Sequence, residues 1–471
     1  MHDRAFKFKK FEITSNSQKE KNGKYKTVDL RSGTPRFEYR ESIFMPYVEI
    51  TAYLIDTGNT LPADDGTDAG VGLLDGGLGQ GTETIKFKIE DEMGNKIDFT
   101  GDDDLRLAAV KSDYQGFKNE SYAMTIVSKE AFDNTLLKNR CTTANYKQIK
   151  FTGKISDVAK SIVNVVLESP RAEKMNSDET LNDFHAWGQN VTPFDMLLQL
   201  QQLAIPNTQT SKGKTAKGNT AGYLFFQTAT GYQFRSLDGL MLSQKVSGGH
   251  IDMNGNIIRR YLENNRGDED LPPSFDGKIL WSNMSRSVDA LHQFETGGYA
   301  GEIIVFNDIT KELDKKNLQT DEDGNGIIAG RKLPTLNKDY LDSDGNALPT
   351  IQRIVRQAVG QSHIGNDSLE TQIEKTDVIN YNNEEIILQA HQNYNQKMQM
   401  SAEIIIDADL SLNAGDLIYC DFPELSTKVT TIGSRTRKSG IYMIADLCHY
   451  GDKANSFTGL HLVRGSFGVK T

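Results

Sequence analysis

Cysteine is scarce in this chain: Cys141, Cys420 and Cys448 are the whole complement of a 471-residue sequence. An odd, scattered set with no CxxC spacing excludes a disulfide framework and reads as reduced thiols of a chain made in a cytosol. Positive charge is in the minority as well, with 53 Lys and Arg against 64 Asp and Glu, a formal net charge of −11. That balance argues against a dedicated nucleic-acid binder, which needs clustered basic groups to neutralise phosphates. No apolar run approaches the roughly 20 residues of a membrane helix, so no membrane insertion is expected. Arg4, Lys7, Lys9 and Lys10 precede no apolar segment of the kind that makes a signal peptide. No G-x-S-x-G, H-E-x-x-H or Walker sequence is present, so no catalytic residue, no cofactor-binding residue and no cofactor is assigned, and the chain is read as a non-enzyme.

What is abundant is β pattern. The closing stretch, Ser411 to Phe467, opens on the turn Leu412-Asn413-Ala414-Gly415-Asp416 and enters a strand at Leu417-Ile418-Tyr419-Cys420. Two strands of strong β character follow, Ile441 to Tyr450 and Phe457 to Arg464. Residues 1–145 have the same flavour. Ile85, Phe87 and Ile89 alternate with Thr84, Lys86 and Lys88, which is a strand with one buried face. Met93-Gly94-Asn95-Lys96 reads as its hairpin turn.

The length suggests two to four domains, and the predicted fold class is α+β, mainly β. Residues 1–145 are read as a first tube-like β-barrel, with a glycine-rich loop at 58–81. Residues 146–281 are read as an α/β domain. There, Ile155, Val158, Ala159, Ile162 and Val166 fall at helical spacing, and Thr192-Pro193-Phe194-Asp195 starts a second helix. Tyr223 to Thr228 and Tyr232 to Ser236 form a hairpin. A second tube-like barrel is read from 282–312 and 386–471, split by an acidic inserted segment at 313–385; within it, Gly297 to Phe306 and Ala390 to Ile406 are expected to be strands. A weak internal echo supports two related barrels: Ser121 to Phe132 lines up without gaps on Ser456 to Phe467.

Several motifs suggest chemistry and lack its complement. Asp321, Asp323 and Asn325 match the first half of an EF-hand loop, but Lys332 stands where a bidentate Glu is needed; Asp342, Asp344 and Asn346 repeat the pattern less well. The bland reading is a pair of acidic turns, and no metal site is assigned. Cys448, His449 and His461 lie in strands, where successive residues face opposite ways, so zinc is disfavoured. His185 beside Trp187 reads as a packing residue. Gly76 to Gly81 runs into a strand where phosphate cradling needs a helix. The basic loop Arg435-Thr436-Arg437-Lys438, with Lys428 upstream, reads as solvated or as a contact for an acidic partner.

Several of these stretches resemble the central baseplate hub proteins of contractile-tailed bacteriophages of the T-even type. The carriers are Gly415-Asp416-Leu417-Ile418, Ser439 to Ile444 with Cys448-His449, Thr458 to Phe467, Thr192 to Asp195, the 223–236 hairpin, and Gly79 to Glu83. The resemblance implies a homotrimer in which each chain gives two tube-like barrels, making a pseudo-hexameric ring between a six-fold tail tube and a three-fold spike. It implies as partners the central spike protein, a tail tube or tube-initiator protein, the tape-measure protein and baseplate wedge proteins. DNA would pass transiently without specific binding, through a lumen expected to be acidic or neutral. The location implied is the virion tail baseplate, assembled in the host cytoplasm. Two other readings stay open: a tail-associated peptidoglycan hydrolase, and the hub of a related secretion or injection spike.

Overall fold

A computed structural model describes residues 6–465 except 20–21, 59–60, 63–69, 103–104, 116–118, 138–149, 188–190, 208–220, 247–248, 253, 264–276, 287–288, 308–310, 312, 320–335, 346, 358–382, 424–437 and 453–454. The chain is mainly β and is dominated by one 14-stranded, largely antiparallel sheet. Its first strands are β1 (Lys7–Lys19), β2 (Tyr25–Asp29), β3 (Arg36–Ser42) and β4 (Glu49–Asp56). They are followed by β5 (Thr84–Glu90), β6 (Lys96–Phe99), β7 (Leu105–Gln115) and β8 (Glu120–Ser128). Alternation explains them: Ile85, Phe87 and Ile89 are fully buried in β5, and Phe11 and Ile13 do the same in β1, a strand outside the sequence expectations. Gly94, at φ +86°, turns β5 into β6 as the hairpin reading expects.

The middle of the chain begins with α1 (Ile155–Ser161), continued by a π-helical turn to Val166, and α2 (Pro193–Leu203). Thr192 caps α2 as its sequence announces, its hydroxyl accepting from the Asp195 amide at 3.3 Å. The hairpin β9 (Tyr223–Thr228) and β10 (Gly231–Ser236) packs beside them. Every residue of β9 is buried because its two faces serve different cores. Tyr223 and Phe225 join the helices; Leu224 and Phe226 join a cluster with Ala414, Leu417 and Met443.

Later strands include β11 (Arg259–Leu262), β12 (Ile279–Arg286), β13 (Ala300–Asn307), β14 (Leu313–Gln319) and β15 (Ile351–Gln357). After the helix α3 (Asn383–Lys397) come β16 (Met400–Asp407), β17 (Leu417–Asp421), β18 (Gly440–Asp452) and β19 (Ser456–Arg464). Along the large sheet the order is β12-β16-β19-β18-β3-β4-β8-β7-β5-β1-β2, with β6 on β5 and with β17 joining β18 to β11. A bridge from Leu262 to Lys278 brings the start of β12 back beside β11.

Two expectations are corrected here. The segment from Ala390 is not strand until Met400: Ile386, Ala390 and Tyr394 fall at helical spacing and pack with Ile205 and Ala221, a stripe that the surrounding Gln and Asn residues hide. Lys397, at the end of that helix, is paired with buried Asp238, and burial pushes its ammonium pKa well down. The strand near 297–306 is β13, and it does not join the large sheet. It sits in a separate three-stranded sheet between β14 and β15, so the 313–385 segment supplies both its neighbours. Residues 320–335, with Asp321, Asp323 and Asn325, lie outside the described residues.

Candidate assembly interface

Within the large sheet, one arrangement of strands occurs twice. The run β3-β4-β8-β7-β5 has its counterpart in β12-β16-β19-β18-β17. Both contain a hairpin, β7–β8 in one and β18–β19 in the other, and both hairpins carry a bulge at the same place. In the first, Thr125 and Ile126 face Ala109 and Leu107, skipping Ala108. In the second, His461 and Leu462 face Asp446 and Ile444, skipping Ala445. The match holds when Glu120 is set on Ser456, and burial along the two strands then agrees from Ser121 onward. The sequence echo had set Ser121 on Ser456, one residue off. That register puts buried residues on half-buried ones along most of the strand, because a slip of one inverts every face of a pleated strand.

The entry turns repeat too. The amide of Gly415 donates to the Ile444 carbonyl and the Ile444 amide to the Asp416 carbonyl, at 2.8 and 2.9 Å. In the other run, Thr82 donates to Leu107 and Leu107 to Glu83, at 2.7 and 3.0 Å. Asp416 accepts from the Asn413 amide at 2.9 Å, and Glu83 from the Gln80 amide at 2.7 Å. Gly415 and Thr82 both have positive φ, +88° and +68°. The shared signal, an acid three residues after the start of a turn, is legible in the sequence once the two turns are compared.

The two runs meet where β18 divides its outer edge. Its first half pairs with β17, and its second half, Asp446 to Asp452, pairs antiparallel with β3. Glu38 of β3 accepts from Arg36 on one side and Arg40 on the other, so one carboxylate is shared by two guanidinium groups. The Arg36 guanidinium also lies over the ring of Tyr450, 5.0 Å from its centroid, and over Tyr53 at 4.6 Å.

Beneath this seam sits Glu41, buried and missed by sequence reasoning. It accepts from the Ala414 amide at 2.9 Å, the Ala229 amide at 2.6 Å and the Tyr39 hydroxyl at 2.7 Å. One carboxylate therefore ties β3 to the turn before β17 and to the β9–β10 turn. Burial pushes Glu41 up to about 7 against the pull of those donors, and burial likewise pushes Asp416 up to about 6. Arg171 clamps the same β9–β10 turn to β6, the strand beside β5 of the first run. Its guanidinium donates to the carbonyls of Ala229 at 2.8 Å and Asp98 at 3.2 Å and lies 4.0 Å from the Phe99 centroid.

The residues singled out for chemistry do not converge. His449 is buried in the core, hydrogen-bonded through Nδ1 to Thr458 at 3.0 Å and beside Tyr39, and burial depresses its pKa to about 3. Cys448 and His461 face the other side of the sheet, His461 pairing with Asp446 at 2.8 Å. His185 lies in a two-stranded pairing opposite Thr152. Asp342 accepts from the Asp344 amide at 2.9 Å within its own turn. Among the described residues, no group of three or more His, Cys, Asp or Glu is placed to hold a metal. Of the basic loop, Lys438 is described, and its carbonyl accepts from Tyr442 at 2.6 Å and from the buried Arg464 at 3.3 Å; Arg435, Arg437 and Lys428 lie outside the described residues, as do Asp64, Asp65 and Asp68 of the glycine-rich loop.

No protein-family model and no curated protein matches the chain. Among solved structures it is similar to the 43 kDa tail protein of prophage MuSo2 from Shewanella oneidensis, at 9% identity and TM-score 0.45 over 96% of this chain and 98% of that one. It is similar to a tail protein from Neisseria meningitidis MC58 at 8% identity and TM-score 0.45, over 98% and 97%. A third similarity is to an E. coli component of the type VI secretion system, itself described as structurally similar to T4 bacteriophage tail proteins, at 7% identity and TM-score 0.37 over 99% and 79%.

Proposed function

We propose that this chain is a structural ring component of a contractile phage tail baseplate, a hub between a six-fold tube and a three-fold spike. Each chain contributes two tube-like barrels, one built on β3 to β8 and one on β11, β12 and β16 to β19. Three copies then give six similar positions around a channel for tape measure and genome. The observation that carries this reading is the internal repeat of strand order, bulge and entry turn. A duplicated unit is what lets a three-fold assembly match a six-fold one. The ordered sequence resemblance to baseplate hubs supports it independently.

On this reading the partners are the spike, the tube or its initiator, the tape measure and the wedge proteins. The protein works by shape and adhesion and without catalysis. The exposed face of the sheet suits a channel that DNA traverses: Glu38 pairs with both Arg36 and Arg40 and leaves one positive charge, which Asp446, Glu403 and Asp407 on that face outweigh. Size-exclusion chromatography with light scattering tests the proposal. It expects the mass of three chains at micromolar concentration, and a stable monomer there sinks it.

A further inference from the structure

The seam between the two runs has a counterpart edge that is open among the described residues. β18 uses the second half of its outer edge to hold β3. Its counterpart β7 uses Leu105 to Leu107 to hold β5 and the turn before it. Beyond Leu107, β7 has no strand on that side among the described residues. Likewise β12, the counterpart of β3, pairs with β16 on one side, and past the bridge at Lys278 its other side is unpaired among the described residues. Among the described residues the large sheet thus leaves open one half-edge, on β7, which lacks a β3, and one outer edge, on β12, which lacks a β18.

Each open edge exposes a large aromatic side chain. Tyr114 on β7 is 60% exposed, and Trp281 and Leu280 on β12 are 48% and 43% exposed. Long open edges that display large apolar groups are templates for strand addition.

We infer that β7 of one copy pairs antiparallel with β12 of the next, repeating between chains the β18–β3 seam found within each chain. This rests on the ring reading and names its contact surface. The register follows from the repeat. Tyr450 pairs with Phe457, and Tyr114 with Ser121, at the matching position of the hairpins. Glu38 reaches Thr125 through Thr51, and Asn283 reaches His461, its match, through Glu403. Since Tyr450 pairs with Glu38, Tyr114 pairs with Asn283 of the neighbouring copy. By the same transfer Trp281 occupies the place of Arg36, and so covers Tyr114 as the Arg36 guanidinium covers Tyr450. The two exposed aromatic residues thereby bury each other. The contact is head-to-tail, and a head-to-tail contact closes into a ring when its rotation allows.

The test uses the full chain with Tyr114→Cys and Asn283→Cys, mildly oxidised and run on a non-reducing gel beside light scattering. A covalent dimer and trimer ladder is expected from the double variant, and a covalent dimer from a mixture of the two single variants. Neither single variant alone, nor Ser112→Cys combined with Asn283→Cys, should give the ladder. A trimer in light scattering without the cross-link overturns this pairing and leaves the ring reading standing. Cross-linking of Tyr114→Cys to itself overturns the head-to-tail contact. A monomer with no cross-link overturns both. Tyr114→Asp, a surface change that spares the core, is expected to lower the trimer fraction at least tenfold, and an unchanged fraction counts against the contact.

Discussion

The two runs of strands share a frame and differ in what leans on them. At the entry turn of the second, Gly415 faces the β9–β10 hairpin, and a Cβ there would come within 2.9 Å of the Phe226 ring. At the entry turn of the first, Thr82 holds the same left-handed backbone with a β-branched side chain, bonded to Asn16 at 3.0 Å. The hydrogen bonds of the turn are common property, whereas the side chain is chosen by the neighbour. The second run carries the middle layer of the molecule on that turn; the first does not.

That comparison can be broken most sharply at Gly415. Gly415→Val adds backbone strain to a clash with Phe226 and should cost about 3 kcal/mol, while Thr82→Gly should change stability by less than about 1 kcal/mol. Urea midpoints of the two variants check this, and equal losses would mean the turns are not packed differently.

Glu41 comes next. All its neighbours donate, so the amide nitrogen of Glu41→Gln faces an N–H or O–H, and the variant should lose about 2 kcal/mol. The sign with pH follows from burial. A folded-state pKa near 7, raised from 4.5, means that folding favours the protonated acid. Its contribution is fully present below pH 4.5 and is lost as pH rises through 7. The glutamine does not titrate, so the variant's deficit should narrow between pH 5 and 8. Melting temperatures across that range report it, and a deficit that widens would place the charged form as the favoured one.

Asp416→Ala and Glu83→Ala each remove one buried acceptor from a turn amide and should cost similar amounts, about 1 kcal/mol. If one is silent, the turns are alike in shape alone.

Much of this frame can be read from residues alone. Ile85, Phe87 and Ile89 announce a half-buried strand, Thr192-Pro193 a helix start, and the 223–236 run a hairpin, because in each the local pattern and the tertiary environment agree. The echo near Ser121 is visible in the sequence, but serine and aromatic identity set it one residue away from the structural register, because the pleat follows burial. The helix Asn383–Lys397 is hidden by polar residues around a narrow stripe. Glu41 is invisible in sequence, as its role depends on Ala229 and Ala414, far along the chain, arriving at the same carboxylate. The open edges are invisible for the same reason: an edge is defined by the absence of a neighbour.

The central claim is that a duplicated chain makes a three-fold ring with six similar positions. Electron microscopy of the purified full chain tests it most directly. End-on class averages should show a ring with an open channel, three-fold symmetric and six-lobed, with adjoining lobes alternating between the β18–β3 seam and the β7–β12 seam. A compact particle without a channel, or a ring whose lobes do not come in pairs, would contradict it.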